Sequence, residues 1–204
     1  METNAPDPAG KETSLIPSLI LNLFMVAVNI VCLIIGLKRL EPRILFRYFT
    51  VLSNLFCGVA CACVAIAWCT GALPKWVVLL KYVSTVAVGV TLLTVFLFLG
   101  PSSGEWKKLL NGADLFWHLI CPVVAIVSFC WFEHPCFRFG FGWTFLAVLP
   151  VLVYGVFYLW RVVFLPEGRR MEDFYGFNKG GKWYLSVAFV LLGAYALSVV
   201  LWLI

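Results

Sequence analysis

Charge is what this sequence has least of. Only 12% of its 204 residues are Asp, Glu, Lys or Arg while 63% are hydrophobic, so there is too little polar surface to clothe a water-soluble globule. Carboxylates are scarcer still within the apolar runs, and none falls near the middle of one, which weighs against a proton-coupled transporter. Metal ligands are equally thin. His134-Pro135-Cys136 offers two soft ligands with no evident third or fourth, and Cys61 and Cys63, two apart on a helix, point in different directions. No metal or organic cofactor is expected. The eight cysteines form no disulfide framework: Cys32, Cys57, Cys61, Cys63 and Cys121 fall inside apolar runs, where a free thiol acts as a small filler. Cys69, Cys130 and Cys136 lie toward one face, leaving room for one bridge. The apolar runs also lack a GxxxG pairing motif, so nothing specifies a homodimer.

What is abundant is long hydrophobic sequence. A helix needs roughly 20 apolar residues to cross the hydrocarbon core, and six runs qualify: Leu15–Gly36, Phe46–Cys69, Trp76–Leu99, Leu115–Trp131, Trp143–Leu165 and Trp183–Ile204. The expected fold is an all-α membrane protein, six spans in a single bundle, with no soluble domain between them. The longest connection, Pro166–Lys182, carries Gly, Pro and charge. Residues 1–14, METNAPDPAGKETS, have the composition of a disordered tail. The first run is too long for a signal-peptide core and lacks the flanks of one, so it is expected to remain as a span.

Basic residues resist translocation and collect in cytoplasmic loops. Lys38, Arg39, Arg43 and Arg47 flank the first connection, Lys107 and Lys108 the third, and Arg161, Arg169, Arg170, Lys179 and Lys182 the fifth. These make eleven of the fifteen basic residues and predict that both termini are non-cytoplasmic. The net charge of +5 then reads as topology and attraction to anionic lipid rather than as nucleic-acid binding.

Polar residues inside spans are the remaining clue. Lys81 and Arg161 lie close enough to span ends to snorkel toward head groups, and Glu133 is expected to be solvated. His118 is the group best suited to exchange a proton near neutral pH, or else to bond a neighbouring helix. Asp114, four residues earlier on the same face, either holds the imidazole tautomer or caps the helix. Thr50 shares a helical stripe with Arg47, Ser53, Asn54, Cys57 and Cys61, a stripe that must face protein. A membrane threonine commonly bonds its own preceding turn. Here, however, Thr50 and His118 each come about one turn into spans that enter from the same side, which matches their depths. A hydroxyl becomes a nucleophile when a base takes its proton, and Arg47, Asn54 or helix-start N–H groups could stabilise an oxyanion. Asn22, Asn29, Ser84, Thr85, Thr91, Thr94, Tyr154 and Tyr158 extend a polar interior, Thr94 and Tyr158 toward the same end as Thr50.

The segment RYFTVLSN, with Tyr48-Phe49-Thr50, and the fourth run FWHLICPVVAIVSFCWFE, with His118 and Pro122, resemble the androgen-induced protein and ADTRP family, including its bacterial six-helix relatives. The resemblance extends over essentially all six spans. It implies an intramembrane threonine hydrolase that cleaves fatty acid esters of hydroxy fatty acids, with the required threonine and histidine falling on Thr50 and His118. The expected function is thus lipid-ester hydrolysis, with Arg47 and Asn54 positioning the substrate and membrane lipid as the surrounding partner. The competing expectation is a non-enzymatic small transporter or assembly protein whose polar stripe only joins helices.

Overall fold

A computed structural model describes residues 8–136 and 140–204. Six helices are long and apolar enough to cross a membrane: α1 (Leu15–Arg39), α2 (Phe49–Cys69), α3 (Lys75–Leu99), α4 (Ala113–Glu133), α5 (Trp143–Phe164) and α6 (Trp183–Leu203). Among the described residues there is no strand. The all-α reading holds, and each helix matches a predicted span to within a few residues.

Three boundaries differ from expectation for local reasons. Helix α1 extends back to Pro8, taking in part of the stretch assigned to a disordered tail. Helix α2 starts at Phe49 rather than Phe46, because Pro42–Leu45 forms a separate turn and Tyr48 is extended at φ −84° and ψ 129°. Thr50 is consequently the second residue of its helix. Before α4, Gly112 takes φ +57°, a left-handed turn open to glycine, which sets the fourth span off from Trp106–Leu109.

Helix α3 is the axis of the bundle: 61% of its central window is buried, against 17% for α6. It packs against α2 and α4 on one side and against α5 and α6 on the other, while α1 covers α2 and α4. Lipid tails are as apolar as leucine, so close packing rather than water exclusion must hold such helices together. The interfaces use small residues accordingly, with Ala60, Ala87, Ala125, Ala147 and Ala194 all fully buried. Leu152, Val156, Phe189 and Leu192 face outward, as a lipid-bathed surface requires.

Cys69 and Cys130 are unbridged, and the side chain of Cys136 lies outside the described residues.

Candidate functional site

The extended Tyr48 leaves the first N–H groups of α2 without intrahelical partners. Phe49 N–H donates to the Tyr175 hydroxyl at 2.9 Å. Thr50 is 9% exposed and lines a cavity of about 80 Å³ between α2, α3, α5 and α6. Thr91, Thr94, Tyr154, Tyr158 and Tyr175 also line it, and the remaining wall is Val, Leu, Phe and Gly, so its surface is almost wholly apolar. Leu152 and Val156 belong both to this wall and to the outer surface, at 44% and 62% exposed, so the cavity reaches the lipid-facing side of α5.

Tyr175 comes from the connection between α5 and α6, which folds back onto the bundle. Asp173 organises it: one carboxylate oxygen accepts from the Tyr158 hydroxyl at 2.6 Å and from Phe177 N–H at 3.0 Å, the other from Asn178 N–H at 2.8 Å. Tyr175 N–H donates to the Tyr158 hydroxyl oxygen at 3.1 Å. Gly176 turns at φ +68° between these bonds. Tyr175 is only half-buried as a residue, but its hydroxyl end lies inside, and that burial pushes the phenol up to about 12 against the opposing pull of the α2 N–H groups. The phenol stays protonated at neutral pH. The signal for this arrangement is present in DFYGF, where three aromatics follow an Asp in an otherwise polar loop, but it says nothing of which helix they meet.

Asn54 ties α2 to α4. Its side-chain N–H group donates to the Thr50 carbonyl at 2.8 Å and to the Trp117 carbonyl at 3.0 Å. The second acceptor is free for a local reason. Cys121 N–H, which would normally bond Trp117, bonds Phe116 in a π-helical turn, and Pro122 has no N–H to replace it. Trp117 itself donates from its indole to Asn29 at 3.1 Å. The Asn54 side-chain oxygen is buried with no partner.

His118 follows on that π-helical turn. Its Nδ1 lies 2.7 Å from the Leu109 carbonyl oxygen. A carbonyl only accepts, so Nδ1 carries the proton and, in the neutral ring, Nε2 is the basic nitrogen. The imidazole leans back past the start of α4 to reach Leu109, as helical side chains lean toward the N-terminus. The Thr50 hydroxyl and the imidazole share no hydrogen bond among the described residues, and His118 does not line the cavity. What joins the two segments is the Asn54 strap, from Thr50 to the residue preceding His118.

The supporting residues fall unevenly. Asp114 neither meets His118 nor caps α4; it lies 3.6 Å from Arg39 in a largely solvated pair. The Arg47 carbonyl accepts from the Tyr154 hydroxyl at 2.6 Å, and its guanidinium makes no ion pair among the described residues.

Comparison with family models, curated proteins and solved structures finds no match.

A second polar cluster, at the opposite end of the bundle, overturns the expectation that Lys81 snorkels and Glu133 is solvated. Both are fully buried. Glu133 accepts from Ser18 at 2.6 Å, Asn22 at 2.8 Å and Ser128 at 2.8 Å, while the Lys81 ammonium donates to the Asn22 amide oxygen at 2.8 Å and contacts Cys61 Sγ at 3.0 Å. Asn22 thus bridges the two charges, and Trp68 closes the cluster by donating to Ser18 at 2.9 Å. Complete pairing is what allows ions at this depth. Arg161 is partly exposed near the end of α5.

Proposed function

We propose that the protein is an intramembrane ester hydrolase acting on lipid esters, with Thr50 as nucleophile and His118 as base and then acid. The observation that carries this reading is a threonine in the wall of an apolar cavity that reaches the lipid face, strapped through Asn54 to the segment bearing a histidine whose Nε2 is left basic. An acyl chain would enter past Leu152 and Val156 and lie along the Val and Leu wall. Thr50 Oγ attacks the carbonyl carbon and passes its proton to His118 Nε2; collapse breaks the ester C–O bond, and that proton leaves with the alcohol. Water, deprotonated by His118, then releases the acid and restores Thr50. Catalytic hydrogen bonds are often long before substrate binds, or run through a water. Arg47 would pair with a free carboxylate at the membrane surface, which favours fatty acid esters of hydroxy fatty acids.

The test is labelling with a fluorophosphonate hydrolase probe, together with turnover of such esters. Thr50→Ala should abolish both. His118→Ala should lose turnover as completely, with the double variant scarcely worse, because residues acting as one catalytic unit are strongly non-additive. Undiminished hydrolysis by Thr50→Ala would refute the reading.

The Lys81–Asn22–Glu133 cluster favours a second reading, since intramembrane charges often mark ion or proton paths. A non-enzymatic small transporter would show proton-coupled flux in proteoliposomes that Lys81→Met abolishes and Thr50→Ala does not. In either case the basic-residue distribution supports non-cytoplasmic termini.

A further inference from the structure

The loop between α5 and α6 delivers a phenol to the nucleophile, although the sequence gives it the look of a charged connector. We propose that Tyr175 is the oxyanion-stabilising residue of the Thr50 site: its O–H donates to the acyl carbonyl oxygen as that oxygen gains charge, beside the Thr50 N–H. This inference rests on the hydrolase reading.

Four observations lead to it. Tyr175 lines the same cavity as Thr50, and its hydroxyl oxygen accepts from the N–H of Phe49, the residue just before Thr50, at 2.9 Å. Its oxygen accepts from Phe49 N–H, a bond that does not use the phenolic proton and leaves it to donate elsewhere. Burial raises the phenol to about 12, which keeps that proton in place at neutral pH. Finally the loop is built to hold it. Asp173 binds Tyr158 and two loop N–H groups, Tyr158 receives Tyr175 N–H, and Phe174 packs against Tyr48 with ring centres 4.6 Å apart.

The chemistry balances without another reagent. As Thr50 Oγ bonds to the carbonyl carbon, the C=O π pair moves onto oxygen, where the Tyr175 O–H and the Thr50 N–H meet it. Both hydrogen bonds shorten without proton transfer. When the C–O bond to the leaving alcohol breaks, the pair returns and the bonds relax. Donors held in position before charge develops act most strongly where water is excluded, as in this cavity.

The bland alternative is that Tyr175 merely caps α2. The experiment separates the two roles in the full-length protein in detergent, with the p-nitrophenyl ester of a long-chain fatty acid as substrate. Tyr175→Phe should lower kcat by about 10² to 10³-fold, the usual effect of deleting one oxyanion donor, with KM within a few-fold. A genetically encoded fluorotyrosine at position 175 preserves shape and makes the phenol more acidic. It should move the alkaline fall of kcat to lower pH, because the phenol must be protonated to donate. The proposal is overturned if the alkaline limb stays where it is, or if Tyr175→Phe keeps normal kcat. Should Thr50→Ala keep full activity, the hydrolase reading itself fails; a dead Thr50→Ala beside normal Tyr175 variants removes only Tyr175.

Discussion

Replacing Lys81 with Met tests whether the buried cluster is an ionic unit or a set of ordinary hydrogen bonds. The amine makes two contacts, to Asn22 and to Cys61. Hydrogen bonds between membrane helices average about 0.6 kcal/mol, so two of them would be worth about 1.2 kcal/mol if nothing else were lost. In an ionic cluster the loss is larger. Met leaves the Asn22 amide oxygen without a donor and the Glu133 carboxylate without a compensating charge, and breaking a buried pair from one side costs about 3–5 kcal/mol. Glu133→Gln should cost a similar amount, since it strands the ammonium and turns an amide donor toward Ser18, Asn22 or Ser128. The double variant removes both charges. It should be less destabilised than the sum of the singles by about 2 kcal/mol, within the range seen for residues in one network. Reversible unfolding by SDS titration in mixed micelles, followed by far-UV circular dichroism, measures all four corners of the cycle. A Lys81→Met loss near 1 kcal/mol, additive with Glu133→Gln, would refute the ionic assignment.

Asp114→Asn should change stability by less than about 1 kcal/mol and turnover by no more than a few-fold, because its pair with Arg39 is solvated and the Leu109 carbonyl already orients His118. A loss of several orders of magnitude in kcat would contradict that geometry. Arg47→Ala should reduce hydrolysis of free-acid esters while leaving their methyl-capped forms unchanged; equal effects on the two, read from kcat/KM, would leave Arg47 as a topology anchor. Reporter fusions within the Pro166–Lys182 connection should register as cytoplasmic, and an external signal there would reverse the assigned orientation.

The six spans were legible because apolar length alone separates a membrane helix from other elements, and no tertiary contact can change that requirement. The Thr50 stripe was legible too, since Ser53, Asn54, Cys57 and Cys61 are all buried with it. Lys81 and Glu133 were misread for a definite reason: proximity to a span end permits snorkelling, and only the distant partners Ser18 and Asn22 make inward burial the better solution. Ser18 and Glu133 are separated by 115 positions, beyond the reach of any local pattern. The contribution of Tyr175 was hidden in the same way, because a loop's aromatics declare that they will be covered but not by what. Asp114 illustrates the opposite error. Its spacing from His118 was right for a contact, but the π-helical turn and the Leu109 carbonyl rearranged which groups meet.

The vacancy that Pro122 leaves at the Trp117 carbonyl has a consequence for descent. Asn54 fills that vacancy from another helix, so neither residue is neutral to change alone: an N–H regained at position 122 would compete for the carbonyl, and an apolar side chain at 54 would leave it bare in hydrocarbon. The two positions should therefore be inherited as one character. Lineages that lose the proline should lose the amide soon before or after, and a pair of substitutions that fails singly should succeed together.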